Sequence, residues 1–113
     1  MKKQLITGMI LAFSGALLLP SANAAVDEAA AKALAKSSDC FKCHAPDKDK
    51  KGPSLKKIAA KYKGKADGEE KVLKFMTSSP MVKLDDGKED KHAAVDSKDA
   101  AALKNLAGWI LSH

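Results

Sequence analysis

The sequence predicts an all-α domain of about four helices gathered around a large group that is not protein, and three observations lead there. Apolar residues recur at helical spacing in four separate stretches, with no convincing strand pattern beside them. The part of the chain expected to remain after export is short and poor in aromatic residues, so side chains alone make a thin core. The only two cysteines stand together in the run Cys40-Phe41-Lys42-Cys43-His44.

The first 24 residues set the compartment. Lys2 and Lys3 precede an apolar run from Leu5 to Leu19, then Pro20 and the small-residue triplet Ala22-Asn23-Ala24. This is the pattern of a secretory signal peptide cut after Ala24, which sends the chain to the periplasm. A membrane anchor is the alternative, but the run falls short of the roughly 18 to 20 apolar residues that span a bilayer. Removing 24 of the 113 residues leaves 89, residues 25–113, as one small domain. Its aromatic residues are Phe41, Tyr62, Phe75 and Trp109. A core of that kind ordinarily needs a disulfide, a metal or a large cofactor.

Each element follows from local pattern. In VDEAAAKALAKSSDC, Ala29, Ala30, Ala33 and Leu34 form an apolar stripe and Asp27-Glu28 sit at the favourable end of a first helix, which ends near Ser37 to Asp39. The loop HAPDKDKKGP carries Pro46, Gly52 and Pro53. Ser54 caps a short second helix with Leu55, Ile58 and Ala59 inward, stopped at Gly64. A third runs from about Asp67 to Ser78 with Val72, Leu73, Phe75 and Met76 as its apolar positions and Pro80 beyond its end. Ser79 to Asp96 has no helical period and is too long for an idle connection, so it reads as a functional loop, with Asp85-Asp86-Gly87 able to turn a short hairpin. The last helix, from about Ser97 to Leu111 and capped by Asp96 or Ser97, places Ala100, Leu103, Leu106, Ala107 and Ile110 on one face.

The cysteine run carries the chemistry. In C-x-x-C-H, two thiols about one turn apart can add to the two vinyl groups of a haem, and the adjacent histidine is then held beneath the iron. Cys40 and Cys43 are thus candidate thioether anchors of one covalent haem c, and His44 the candidate proximal ligand. Other uses of the pair fit less well. A thioredoxin-like dithiol expects a βαβ pattern and a zinc site needs four tetrahedral ligands; a plain disulfide is compatible with export, but export, small size, thin core and C-x-x-C-H together point to the haem.

On CFKCH, KKGPSLKKIAAKYKGK and the C-terminal LKNLAGWILSH, the mature chain resembles a small bacterial class I cytochrome c. The resemblance implies that family's fold, with helices wrapped around one covalent haem and the N- and C-terminal helices crossing. It implies that Ala30, Ala33 and Leu34 pack against Leu106, Trp109 and Ile110. It also implies that the carbonyl of Pro53 accepts a hydrogen bond from His44, fixing the imidazole's tautomer and orientation.

One position departs from the family. Its members usually supply a distal methionine from a proline-flanked loop shortly before the last helix, and here that region reads KEDKHAAVDSKD. His92 stands in its place, flanked by Ala93-Ala94-Val95. Met81, directly after Pro80, is the runner-up. Met76 sits on the apolar side of helix three and suits the core. An open or water-filled position is the remaining alternative. His113 suits the C-terminal end of the last helix dipole.

The function expected is electron transport rather than catalysis: a periplasmic monohaem carrier with bis-histidine ligation and a lowered potential, since a second imidazole replaces the methionine that raises it. A ligand-binding haem sensor or small haem enzyme with a displaceable distal histidine is the alternative, and a haem-free thiol redox protein a weaker one. All 20 basic residues are lysines, of which the mature chain keeps 18 against 14 acids. Lysine is poorly suited to the bidentate contacts of nucleic-acid recognition. A lysine-rich surface instead suits periplasmic or membrane-bound redox partners with acidic docking surfaces, met by a monomer, with Lys42, Lys48, Lys50, Lys51 and Lys56 near the motif.

Overall fold

The computed structural model describes residues 25–113 and Gly15; the remainder of the expected signal peptide, residues 1–24, lies outside the described residues. Four helices follow in order: α1 (Glu28–Ser37), α2 (Leu55–Tyr62), α3 (Gly68–Ser78) and α4 (Ala100–Leu111). A single 3-10 turn at Cys40–Lys42 follows α1. Between α3 and α4 a hairpin of β1 (Met81–Lys83) and β2 (Glu89–Lys91) pairs antiparallel, Val82 opposite Asp90. The domain is therefore helical with one small hairpin. Gly87 takes the positive φ of 83° that the hairpin's turn requires.

Helix α4 is the hub and packs against α1, α2 and α3. Leu106, Ala107, Trp109 and Ile110 are its buried face, meeting Ala31 and Ala35 of α1, Leu55 of α2, and Val72 and Met76 of α3. The α1–α4 crossing is clamped at one end. The Asp27 N–H donates to Asn105 Oδ1 at 2.8 Å, and Asn105 Nδ2 donates to the Asp27 carbonyl at 2.9 Å. The close approach uses a glycine of α4: a Cβ on Gly108 would lie 3.2 Å from Val26 Cγ2.

Two details of the sequence reading shift. The inward face of α1 is Ala31, Leu34, Ala35 and Ser38, while Ala29, Ala30 and Ala33 are exposed. In an alanine-rich helix several registers look equally apolar, and only Leu34 was common to both faces. Helix α4 begins three residues later than expected because Asp99, rather than Asp96 or Ser97, caps it. Its Oδ1 accepts from the N–H groups of Ala101 and Ala102 at 2.9 and 3.3 Å. Ser97 Oγ instead accepts the Asp99 N–H, and the Asp96 N–H donates to Ser38 Oγ, tying the end of the loop to α1. Ala100 is consequently exposed. The cap at Ser54 is as expected, and Asp27, expected only as a favourable charge at the start of α1, also caps it by accepting the Ala30 N–H.

Candidate haem site

The proximal side is built from a loop that closes on itself. Asp39, with φ 61°, turns the chain out of α1 and into the 3-10 turn. There Cys40 accepts from the N–H groups of Cys43 and His44 at 3.2 and 3.0 Å. Cys40 and Cys43 are thereby held one tight turn apart, and both are free thiols. Burial raises the pKa of the Cys40 thiol above its ordinary value. Among the described residues no group of three or more His, Cys, Asp or Glu could hold a bare metal ion, so the pair lacks the company a zinc site needs.

His44 Nδ1–H donates to the Pro53 carbonyl at 2.6 Å, leaving Nε2 as the ring nitrogen able to face a metal. Gly52 lies flat against the ring. A Cβ there would come within 2.8 Å of Cε1 and 3.2 Å of Nδ1, so glycine is required by contact rather than by backbone angle. The loop is braced by the Gly52 N–H on the Cys43 carbonyl at 2.9 Å and by Asp49. The Asp49 carboxylate pairs with Lys57 and accepts the Ser54 N–H at 2.9 Å. These two contacts, the Lys57 one first, lower the Asp49 pKa.

The distal side is assembled from remote segments. His92 follows β2 directly, and its imidazole faces that of His44 with ring centroids 6.1 Å apart and planes at 46°. The His92 N–H donates to the Pro80 carbonyl at 2.8 Å and the Val95 N–H to the Met76 carbonyl at 3.0 Å, so the end of α3 carries the segment. Nδ1 of His92 is buried without a hydrogen-bond partner. Burial, and next the nearby His44, lower the pKa of His92, keeping its imidazole neutral and able to ligate.

Met81 opens β1 and is 59% exposed; Met76 fills the core. The sequence placed Phe75 among the apolar positions of helix three, yet it is 40% exposed and sets its ring edge-on to His92, centroids 4.9 Å apart. That role was not legible beforehand. Its one signal was being one of four aromatic residues in so small a domain.

These residues fit a haem. Two imidazoles bound from opposite sides to one metal ion, at about 2.0–2.1 Å each, have ring centres roughly 6 Å apart. The free thiols one turn apart, the facing imidazoles and the partly exposed Phe75 ring beside His92 suit a flat, apolar, metal-bearing group.

The Cytochrome c family profile matches residues 28–113. The chain belongs to the cytochrome c family. The crystal structure of class 1 cytochrome MtoD from Sideroxydans lithotrophicus ES-1 is 52% identical, covering 78% of this chain and 97% of that one with a TM-score of 0.74. Wild-type Nitrosomonas europaea cytochrome c552 is 31% identical over 72% of this chain and 96% of its own, with a TM-score of 0.55. No curated protein matches. As a class I cytochrome c, the protein carries one covalently attached haem c and transfers electrons to redox partners.

Proposed function

We propose that this cytochrome is a periplasmic single-electron carrier whose haem iron sits between His44 and His92, with Cys40 and Cys43 as the thioether anchors. The observation that carries the reading is the facing pair of imidazoles, ring centroids 6.1 Å apart, with the first oriented by Pro53. The haem supplies a one-electron iron couple. The chain's part is to hold both ligands in place at either oxidation state, so that little rearranges when charge moves. A distal imidazole in place of a thioether lowers the potential relative to family members with methionine.

The far-red absorption of the ferric protein tests this, with wild type beside His92→Ala and Met81→Ala. The expected wild-type spectrum lacks a methionine-to-iron charge-transfer band, and low-spin character is lost in His92→Ala alone. A band that disappears in Met81→Ala would overturn the reading.

A displaceable distal histidine, as in a haem sensor or small haem enzyme, has one observation in its favour: the strands preceding His92 are largely exposed. Three backbone tethers oppose it, at His92, at Val95 and at Asp85, whose N–H donates to the Lys51 carbonyl at 3.2 Å. Carbon monoxide added to the ferrous protein is therefore expected to leave the spectrum unchanged, and rapid formation of a carbonyl complex would favour the sensor.

A further inference from the structure

We propose that Phe75 is a positioning residue for the distal imidazole: its ring fixes the angle at which the His92 plane stands to the His44 plane. This rests on the bis-histidine reading above and adds to it what sets the geometry of the pair.

The two histidine rings differ in what limits their rotation. The His44 ring is pinned twice, by the hydrogen bond from Nδ1–H to Pro53 and by the flat contact with Gly52. On the distal side the bonds from His92 N–H to Pro80 and from Val95 N–H to Met76 fix only the backbone. They leave the side-chain torsions to be set by what packs on the ring. What touches the ring is Phe75, with centroids 4.9 Å apart and planes at 74°. That is the edge-to-face arrangement aromatic pairs favour, and a change in the imidazole's tilt gives it up.

The position of Phe75 is not explained by the core. Its neighbour Met76 is buried in the cluster beneath α4, whereas Phe75 remains 40% exposed. Its ring thus lies clear of that cluster and meets His92 instead. The 46° between the two imidazole planes is the quantity it holds. With two imidazoles on one ferric iron, this angle governs the splitting of the orbitals that share the unpaired electron, so it appears directly in the electron paramagnetic resonance of the low-spin ferric protein.

The experiment compares holoprotein of wild type, Phe75→Leu and Phe75→Tyr by ferric electron paramagnetic resonance, with far-red absorption and thermal melting on the same samples. Leucine keeps apolar bulk and removes the ring edge; tyrosine keeps the ring. Phe75→Leu is expected to stay low-spin and melt close to wild type, while its largest g value moves by more than the wild-type linewidth and the line broadens. Phe75→Tyr is expected to retain the wild-type value. An unmoved g value in Phe75→Leu, or an equal movement in Phe75→Tyr, overturns the proposal. Phe75→Ile serves as the ringless variant, read the same way, where the leucine protein does not fold. A methionine-to-iron band in wild type is a separate result that removes the bis-histidine reading itself.

Discussion

Pro53, whose carbonyl orients His44, stands nine positions along the chain, and most bonds bracing that loop lie within residues 40–57, with one more from the Asp85 N–H to the Lys51 carbonyl. His92 depends on segments far from it in the chain. Its backbone hangs from the end of α3, and the far end of its loop is tied through Asp96 to Ser38, 58 residues away. The proximal half is thus held mainly by contacts near in sequence. The distal half exists only once α1, α3 and α4 are assembled, and its exposed hairpin has the few buried contacts of a low-stability segment. One side of the site is a rigid anchor and the other an adjustable one.

The largest expected difference between the halves comes from paired glycine substitutions. Gly52→Ala drives a methyl group against the His44 ring at 2.8 Å, so either the imidazole moves off the Pro53 carbonyl or the braced loop deforms. Overpacking of this kind costs about 1–3 kcal/mol, and the thermal midpoint should fall accordingly. Gly87→Ala meets open space but forces an alanine to φ 83°, a local strain of about 1–2 kcal/mol. In a hairpin whose strands are largely exposed, that strain should raise hydrogen exchange through residues 81–91 and leave the global midpoint nearly unchanged. Equal falls in midpoint would show that the distal segment is as rigid as the proximal loop.

A smaller effect is expected where the two halves meet. Ser38→Ala removes a buried hydroxyl that accepts the Asp96 N–H at 2.8 Å, costing about 1 kcal/mol when the donor is left without a partner. Denaturant unfolding should show the loss, and Ser38→Thr, which keeps the hydroxyl, should recover part of it.

Acid adds a weaker distal perturbation. Because burial and His44 lower the His92 pKa, the folded protein resists protonating this ring more than the unfolded chain does. The contribution of neutral His92 is thus complete above the ordinary value of 6.5 and is lost as the pH falls below it. In the bis-histidine reading, coordination to iron would act in the same direction. The low-spin ferric spectrum should persist below pH 6.5, and conversion to high spin at or above that value would contradict a protected distal imidazole.

How much of this was legible in the sequence follows the same division. Cys40, Cys43, His44, Pro53 and the Ser54 cap lie within fifteen residues, and local spacing was enough to bring them together. His92 was picked out by where it stands relative to the last helix, but not by anything in its own charged surroundings. Phe75 was read as core because an apolar period gives a face without its exact edge, and Val72 and Met76 already occupied the buried stripe. The face of α1 was misjudged because alanines on several sides carry little directional information. The hairpin's turn was visible in Asp85-Asp86-Gly87, whereas its docking on Lys51 was not, since a backbone N–H to a carbonyl leaves no trace in residue identity.

The finest test concerns the surface around the rigid half. Lys42 and Lys57 are paired with Asp39 and Asp49, so their charges are partly offset within the molecule, while Lys50 donates to the Phe41 carbonyl at 2.6 Å. Lys48, Lys51 and Lys56 are exposed and, among the described residues, have no acidic partner within bridging distance. If acidic partners approach this face, the unpaired lysines should steer them, while Lys42, already neutralised locally, should matter less. Oxidation of the ferrous protein by an anionic reagent should slow as salt rises toward 0.1 M, where screening sets in beyond about 10 Å, and a cationic reagent should show the reverse. Lys51→Gln should slow the anionic reaction by roughly twofold at low salt, a small share of the 10-fold or greater steering a full charged surface can give. Lys42→Gln should slow it less. Rates that ignore salt, or that respond equally to the two substitutions, would mean that the positive charge is general to the surface and not concentrated beside the anchored haem.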